Sequence, residues 1–392
     1  MKMTLKVFLS IKLIIVFVIV ITFTNSTFAS SFVTNAKYAI LMDYNTGTVL
    51  YEKQADEQMF PASMSKIMTA LLVFDRLQEG VLKLDTRLLV SKKAWRMGGS
   101  KMFVRVGDEV SVRDLLRGVI VQSGNDASIV FAEAIAGSED AFAEIMTERG
   151  KQIGLENTVF KNATGWPDPQ HVTTARDLAL LAKYVIKEYP QFYKYYSEKK
   201  FSYGKSIDGK LITQNNRNPL LYQNLGADGL KTGHIKSAGY GLTASGIRND
   251  RRLIMVVHGL KSARIRSQES RRLFDWGFRE FTNIKLFSES ETVDEAKLWL
   301  GKKNTVSLKL KNDLVITLPK DSLKQMKVNV KYMGPVPTPV KKNQELGLLE
   351  VTGKGFENIR RPLYAGESVE KLGLVSRLFS ALKFIILGAS DN

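Results

Sequence analysis

Cysteine is absent from the 392 residues of this sequence, and only three residues are histidine. The lack of cysteine excludes a disulfide scaffold, catalysis by a thiol and thiolate metal ligands. His171, His234 and His258 lie too far apart for the spacing of a zinc-hydrolase motif, so we expect no metal at the functional site. The chain is nevertheless long enough, with 44% apolar residues, to form two or three folded domains.

Long apolar runs are also missing, apart from a short one near the N-terminus. Residues 13–23 are strongly apolar, whereas a membrane span needs roughly 20 such residues. Three lysines precede this run, and Thr27-Phe28-Ala29 resembles a cleavage site, so residues 1–29 are predicted to be an export signal, with an uncleaved anchor as the alternative. Its removal lowers the formal charge from +18 to +15, which suits either an anionic partner outside the cytoplasm or simply a soluble surface; nucleic acid is not expected.

The order of secondary-structure signals predicts an α+β fold. A hairpin is expected at residues 38–51, where Asn45-Thr-Gly47 separates two β-prone runs, and a helix is expected to begin close to Ser63. Further helices are predicted at residues 112–121, 127–135, 141–153 and 175–189, and strands at 240–245 and 253–259. This irregular mixture disfavours a regular βαβ array.

The pattern changes after residue 282. Residues 30–282 are predicted to form a catalytic domain, whereas residues 283–366 alternate apolar and polar positions between turn signals, which predicts a small all-β domain. Residues 367–392 are predicted to be an amphipathic helix and tail. Because Arg377 and Lys383 interrupt its apolar run, we expect this helix to lie in a membrane interface rather than to span it, with packing on the β domain as the alternative.

The first candidate for catalysis is the pair Ser63 and Lys66. Residues three apart share one face of a helix, so the Lys66 amine can lie against the Ser63 hydroxyl. That hydroxyl needs a base to become a nucleophile, and a lysine serves as one only when burial or a nearby cation favours its neutral form. The spacing alone is uninformative, because it recurs at Ser197/Lys200, Ser202/Lys205, Ser368/Lys371 and Ser380/Lys383.

Two further motifs follow the first in a meaningful order. Ser123-Gly-Asn125 and then Lys231-Thr-Gly233 complete the set Ser-x-x-Lys, Ser-x-Asn, Lys-Thr-Gly, which is the signature of penicillin-binding proteins and serine β-lactamases. Each motif alone is also compatible with a surface turn. Their joint order favours a single site, and the literal Ser390-Asp-Asn392 at the C-terminus is excluded because it comes after the Lys-Thr-Gly motif.

Over nearly its whole length the chain resembles the low-molecular-mass penicillin-binding proteins of the D-alanyl-D-alanine carboxypeptidase family. Besides the three motifs, the resemblance is carried by AILMD at 39–43, FPASMSK at 60–66, TARD at 174–177, DGLKTGH at 228–234 and LFDWGF at 273–278. It implies a β-lactamase/D,D-peptidase-like catalytic domain, with an antiparallel sheet flanked by helices, and a following small β domain. It implies removal of the terminal D-alanine from peptidoglycan stem pentapeptides, acylation by β-lactam antibiotics as covalent inhibitors, and no cofactor.

The resemblance also implies roles for individual residues. Ser63 is expected to be the acyl nucleophile, Lys66 its base, and Ser123 the relay that passes a proton to the leaving amine. The Asn125 amide is expected to hold the backbone of the substrate. We further expect repulsion by Lys231 to keep Lys66 neutral, while the substrate carboxylate keeps Lys231 charged.

The third motif and two arginines are expected to bind the substrate. Lys231 and Thr232 would contact its terminal carboxylate, and Gly233 would leave room for it along the strand. The backbone N–H groups of Ser63 and His234 would form the oxyanion hole. Arg217 and Arg266 resemble family arginines that support Lys231 or the carboxylate, although solvated surface arginines are the alternative.

Other functions on the same core stay open at this point. They are a D,D-endopeptidase, a weak β-lactamase, and a non-catalytic wall-binding protein. Gly124 stands where many β-lactamases have aspartate, and no Glu-x-x-Leu-Asn follows before Lys231, so slow hydrolysis of the antibiotic acyl-enzyme is expected. An exported protein with the predicted terminal helix is expected in the periplasm, on the outer face of the inner membrane and in contact with anionic lipid.

Overall fold

The computed structural model describes residues 32–206, 208–289 and 291–376. The predicted export signal and most of the predicted terminal helix, from residue 377 onward, lie outside these residues. Within residues 32–280 the strands are β1 (Tyr38–Asp43), β2 (Val49–Lys53), β3 (Arg87–Leu89), β4 (Glu109–Ser111), β5 (Lys200–Lys205), β6 (Leu211–Asn215), β7 (Ala227–Ile235), β8 (Gly239–Arg248) and β9 (Arg251–Leu260). The α-helices are α1 (Lys66–Gln78), α2 (Lys92–Arg96), α3 (Val112–Ile120), α4 (Asn125–Ala136), α5 (Glu139–Gln152), α6 (Ala175–Glu188), α7 (Pro190–Tyr193) and α8 (Ala263–Glu280).

Five of these strands form an antiparallel sheet in the order β2-β1-β9-β8-β7. Successive residues of a strand point to opposite faces, and in β9 both faces are buried. Ile254 and Val256 pack in the core that contains α1, whereas Met255 and Val257 pack in the core that contains α8. Helices therefore cover both faces of the sheet, and β7 lies at one edge.

Several helices begin where the sequence offers a capping residue. The side chains of Ser111, Ser138 and Thr174 accept hydrogen bonds from the backbone at the starts of α3, α5 and α6. The predicted helices, hairpin and strands are confirmed to within a few residues of their expected ends. Helix α8 escaped prediction, because the arginines and polar residues of its first two turns hide the apolar stripe that packs on the sheet.

The helix expected near Ser63 has a two-part start. A short 3-10 helix, Ala62–Ser65, precedes α1, which begins at Lys66. Ala62 has a positive φ of 49° there, an uncommon conformation for a residue with a side chain. The nucleophile candidate thus lies in a tight turn at the entrance to a buried helix.

The second part of the chain is built from strands. These are β10 (Phe281–Phe287), β11 (Thr292–Trp299), β12 (Thr305–Lys309), β13 (Leu314–Pro319), β14 (Lys327–Tyr332), β15 (Val336–Pro337), β16 (Glu345–Thr352) and β17 (Ile359–Ala365). They form a six-stranded sheet and a separate pair, β10 with β13, around a core of their own. The α+β class and the order of a helix-and-sheet domain followed by a β-rich domain are therefore confirmed.

The C-terminal boundary predicted at residue 366 falls inside this β-rich part. Val369 is buried and forms a bridge with Val340, and Lys371 forms one with Gly301. A helical turn begins only at Leu374, because the preceding residues are tied to the β domain by backbone hydrogen bonds. Among the described residues, no helix has the length and apolar character required to cross a membrane.

Candidate active site

The first motif places a hydroxyl against an amine. Lys66 begins α1, one turn after Ser63, and its Nζ lies 3.2 Å from Ser63 Oγ. The Lys66 amine also donates to Asn125 Oδ1 at 2.7 Å and to the Thr164 carbonyl at 2.5 Å. The structure thus brings the first and second motifs together, 59 residues apart in sequence, and adds a carbonyl from a loop that carries no recognisable motif.

Lys66 is fully buried, and its surroundings favour the neutral form of its amine. Burial, and after it the nearby positive charge of Arg217, lower the pKa of Lys66 to about 7, against the opposing effects of Asp126 and Glu139. Desolvation of the amine is thus the largest cause of the low pKa of Lys66, ahead of the repulsion by neighbouring cations. With this pKa, about half of the Lys66 amines are neutral near pH 7. General-base catalysis requires the neutral form, because only that form can accept a proton.

The second motif lies in the turn between α3 and α4. Ser123 is buried with a positive φ of 61°, and its hydroxyl makes no hydrogen bond within the described residues. The hydroxyl predicted to relay a proton is thus hydrogen-bonded to neither Lys66 nor Lys231. Asn125 begins α4 and has a fixed orientation, because its Nδ2 donates to the Gly98 carbonyl at 2.8 Å while its Oδ1 faces Lys66.

The third motif lies on the edge strand β7, beside the turn that carries Ser63. A Cβ atom added to Gly233 would come within 2.7 Å of the Pro61 carbonyl oxygen. The glycine therefore allows the close approach of β7 to the turn that carries Ser63. Thr232 is buried next to it, and the exposed ring of His234 stacks on Tyr240 at a centroid distance of 3.8 Å.

Lys231 is buried in a cluster of positive charges. Its pKa is well below the usual value because of burial first, and then because of Lys66, Arg217 and Arg266. Lys66 and Lys231 are therefore close enough to repel each other when both are charged, as the sequence predicts. The protonated form of Lys231 is therefore disfavoured in the free site, and the carboxylate of an arriving ligand would favour it again.

The two arginines lie at the site rather than on a remote surface. Arg217 Nη1 donates to Ser100 Oγ at 2.7 Å, and Arg266 Nη2 donates to the Arg217 carbonyl at 3.1 Å. Burial lowers the pKa of Arg217, and it lowers that of Arg266 to about 10. Arg266 therefore positions the chain at Arg217, and the charge of Arg217 acts on both lysines.

The other Ser-x-x-Lys pairs do not form comparable contacts. Ser197 Oγ donates to the Lys194 carbonyl, Ser202 Oγ pairs with Thr213, and Ser368 Oγ accepts from the backbone of Lys342. The pair Ser380/Lys383 and the terminal Ser390-Asp-Asn392 lie outside the described residues. Where the structure describes the chain, no group of three or more histidine and acidic side chains is arranged to hold a metal ion.

Sequence reasoning missed the loop that follows α5. Its Thr164 carbonyl accepts from Lys66, and Gly165 packs so closely that an added Cβ would lie 1.8 Å from the Ala62 carbonyl oxygen. His171, at the end of the same loop, contacts Ser65 behind the nucleophile. These residues follow no helical or strand periodicity. The turn-forming residues Asn162-Ala-Thr-Gly165 are the one signal in the sequence that could have indicated a structured loop.

A cavity of about 800 Å³ adjoins the site at the far end of β7. His234, Lys236 and Tyr240 contribute to its lining, whereas Ser63 and Lys66 do not. It therefore lies beside the reacting groups, in the direction in which β7 runs on from the Lys-Thr-Gly motif.

Comparisons with known proteins agree with this arrangement. A family described as D-alanyl-D-alanine carboxypeptidase matches residues 25–262, and one described as penicillin-binding protein 5, C-terminal domain, matches residues 281–371. The chain is 41% identical to the D-alanyl-D-alanine carboxypeptidase DacC of Escherichia coli (strain K12) over 362 residues, covering 89% of this chain and 88% of that protein. It is 34% identical to DacF of Bacillus subtilis (strain 168), covering 92% and 94% of the two chains. The crystal structure of penicillin-binding protein 5 from Haemophilus influenzae is similar with a TM-score of 0.77 and 35% identity, covering 88% of this chain and 100% of that one.

Replacement of Lys66 by arginine tests the buried base. Lys66 is neutral above its pKa of about 7 and protonated below it, so acylation of the wild-type protein by a penicillin should fall about tenfold per pH unit on the acid side. Lys66→Arg should be nearly inactive at every pH, because guanidinium does not deprotonate. Stopped-flow acylation rates from about pH 5 to 9 measure both effects. Lys200→Arg, from an unused Ser-x-x-Lys pair, is the matched control and should behave as wild type.

Replacement of Gly165 by alanine tests the close approach of its loop to the nucleophile turn. Gly165 and Gly154 both have positive φ, 78° and 85°, but only at Gly165 does an added Cβ meet backbone. Gly154→Ala should lose on the order of 1 kcal/mol of stability from backbone strain alone. Gly165→Ala should lose more than twice as much and should acylate poorly. Urea unfolding and penicillin labelling measure the two effects, and equal losses in both variants would contradict the predicted clash.

Proposed function

Because the chain belongs to the family of D-alanyl-D-alanine carboxypeptidases, we propose that Ser63 is the nucleophile with which it removes the terminal D-alanine from peptidoglycan stem pentapeptides. The enzyme is a serine-type D-Ala-D-Ala carboxypeptidase. One observation carries the assignment to Ser63: its Oγ lies 3.2 Å from Nζ of the buried Lys66. The pKa of that lysine is about 7. No other serine of a Ser-x-x-Lys pair within the described residues has a lysine amine as partner.

The proposed acylation follows from this contact. The neutral Lys66 amine takes the hydroxyl proton as Ser63 Oγ attacks the carbonyl carbon of the penultimate D-alanine. The negative charge that develops on the carbonyl oxygen is stabilised by the backbone N–H groups of Ser63 and His234. The proton that Lys66 has accepted then passes to the leaving amine through the buried hydroxyl of Ser123, which has free hydrogen-bonding capacity. Lys66 and Ser123 regain their starting protonation states, and D-alanine departs with a neutral amino group. Water then hydrolyses the ester and regenerates Ser63.

Binding of the substrate carboxylate is proposed to complete the charge balance of the site. Lys231, Arg217 and Arg266 are cations whose pKa values are lowered by burial. A terminal carboxylate beside Lys231 and Thr232 offsets their repulsion, and substrates without a free carboxylate lose this gain. The terminal D-alanine of a pentapeptide meets this requirement with its free carboxylate, and a D,D-endopeptidase activity stays as an alternative. A weak β-lactamase activity on the same acyl-enzyme and a purely wall-binding role stay as alternatives for the experiment below.

We place the proposed activity outside the cytoplasm. An export signal at residues 1–29, a catalytic domain at 30–282 and a β domain that follows it suit a periplasmic enzyme on the outer face of the inner membrane. The terminal segment supports this proposal through its sequence, since Arg377 and Lys383 interrupt the apolar run of what is predicted to be an amphipathic helix. Anionic lipid is the proposed partner of that segment.

Replacement of Ser63 by alanine tests the nucleophile. The protein beginning at residue 30 should be labelled covalently by a fluorescent penicillin and should release D-alanine from a synthetic pentapeptide. Ser63→Ala should abolish both activities, and Ser197→Ala should retain both. Mass spectrometry of muropeptide digests separates loss of one D-alanine from cleavage of cross-links. Labelling that survives in Ser63→Ala would contradict the assignment.

Deletion of the terminal segment tests the proposed membrane contact. Because residues up to Leu372 hydrogen-bond to the β domain, the deletion begins after Gly373. The intact protein should sediment with vesicles that contain phosphatidylglycerol, and less so at high salt, whereas the truncated protein should stay in the supernatant. Both forms should release D-alanine from a small pentapeptide at the same rate. Identical partition of the two forms would contradict the membrane contact.

A further inference from the structure

A buried polar pair lies directly behind the nucleophile turn. Ser65 Oγ and His171 Nε2 are 2.8 Å apart, and both residues are inaccessible to solvent, with 0% and 2% of their surface exposed. Ser65 occupies an unspecified position inside the first motif, His171 lies outside all three motifs, and the acylation chemistry described above uses neither side chain. A polar pair in such a position requires a reason, because burial of these groups costs free energy unless they are hydrogen-bonded.

The hydrogen bonds of the pair run in one direction. The backbone N–H of Lys161 donates to His171 Nδ1 at 3.2 Å, so Nδ1 is the acceptor and the ring proton resides on Nε2. His171 Nε2 therefore donates to Ser65 Oγ, and the Ser65 hydroxyl donates in turn to the Ala62 carbonyl at 3.0 Å. Burial, against the opposing effect of Asp168 and with a smaller contribution from Lys66, lowers the pKa of His171 to about 4, so the ring is neutral near pH 7.

The Ala62 carbonyl belongs to the same peptide unit as the Ser63 N–H. A trans peptide is planar, so the direction of its C=O determines the direction of its N–H on the opposite side. Ala62 has a positive φ of 49°, an unfavourable conformation for alanine that needs support from its surroundings. The Ser65 hydroxyl supplies a hydrogen bond to this carbonyl from within the turn.

We propose that Ser65 and His171 are positioning residues for the oxyanion hole, which orient the Ser63 N–H through the Ala62–Ser63 peptide plane. This inference rests on the proposed function, because it takes the Ser63 N–H as an oxyanion donor. The pair contacts neither substrate nor the reacting atoms. Its loss lowers the stability of the transition state, in which the oxyanion exists, more than that of the bound substrate.

Two pairs of variants test the proposal in the full mature protein. Ser65→Ala and His171→Phe remove the hydroxyl and the ring donor, whereas Ser65→Thr and His171→Gln keep a hydroxyl and an amide N–H in their places. The rate constant of acylation by a penicillin should fall about 10- to 100-fold in the first pair, less than for complete loss of a donor, while the dissociation constant of the non-covalent complex changes less than about threefold. His171→Gln should recover most of the rate. The double variant Ser65→Ala/His171→Phe should be no slower than the slower single variant, because both changes interrupt one chain of hydrogen bonds.

A sulfur analogue separates an oxyanion effect from a general loosening of the fold. Sulfur accepts hydrogen bonds more weakly than oxygen, so a cephalosporin whose β-lactam carbonyl oxygen is replaced by sulfur depends less on the oxyanion hole. The penalty for Ser65→Ala should therefore be several-fold smaller with the thioxo compound than with its oxygen counterpart. A structural defect would slow both compounds equally and would overturn the proposal, as would an unchanged acylation rate in Ser65→Ala.

The controls keep the two levels of inference apart. If the wild-type protein is labelled at Ser63 but Ser65→Ala acylates at the same rate, only the positioning role fails. If Ser63→Ala is still labelled, the proposed nucleophile itself fails. Should His171→Phe not fold, as judged from its thermal unfolding, Ser65→Ala carries the test alone, since it removes a single oxygen from the turn.

Discussion

The burial of Lys66 is the constraint on which the rest of the site depends. An amine taken out of water prefers its neutral form, and only that form can accept the proton of Ser63. Burial of a lysine is tolerated because its amine still finds three partners, Ser63 Oγ, Asn125 Oδ1 and the Thr164 carbonyl. These partners come from the turn before α1, the start of α4 and the loop after α5. Three separate segments must therefore meet before Lys66 can be buried with its hydrogen bonds satisfied.

The same burial explains why the site holds an excess of cations. Arg217 lowers the pKa of Lys66 and of Lys231, and Lys66 also acts on Lys231. Repulsion among these cations, which are shielded from solvent, is unfavourable for the free enzyme. It makes the site selective for a ligand that brings a negative charge. A peptide with a free terminal carboxylate meets this requirement, so in the proposed mechanism the charge that helps to keep Lys66 neutral also helps to bind the substrate.

The nucleophile turn is held by backbone rather than by large side chains. Ala62 has a positive φ, and Gly165 and Gly233 let two neighbouring segments approach within distances that a Cβ atom would forbid. The buried Ser65 and His171 occupy the remaining side of the turn. Such close packing leaves little freedom for the Ser63 N–H, and in this way rigidity of the fold is converted into a directed hydrogen-bond donor.

The sequence alone determined the features that depend on local spacing: the contact of Ser63 with Lys66, the periodic helices such as α3 and α6, and the alternation of the β domain. It also predicted which three motifs would meet, since their order resembles that of a known family. Only the tertiary structure decided the cause of the low pKa of Lys66, the support of Arg217 by Arg266, and the parts played by Thr164, Gly165 and His171. Each of these rests on contacts between residues separated by about fifty to more than a hundred positions, or on desolvation by the folded core. Neither leaves a periodic trace in the sequence, because burial and close approach are properties of the assembled chain rather than of any one segment.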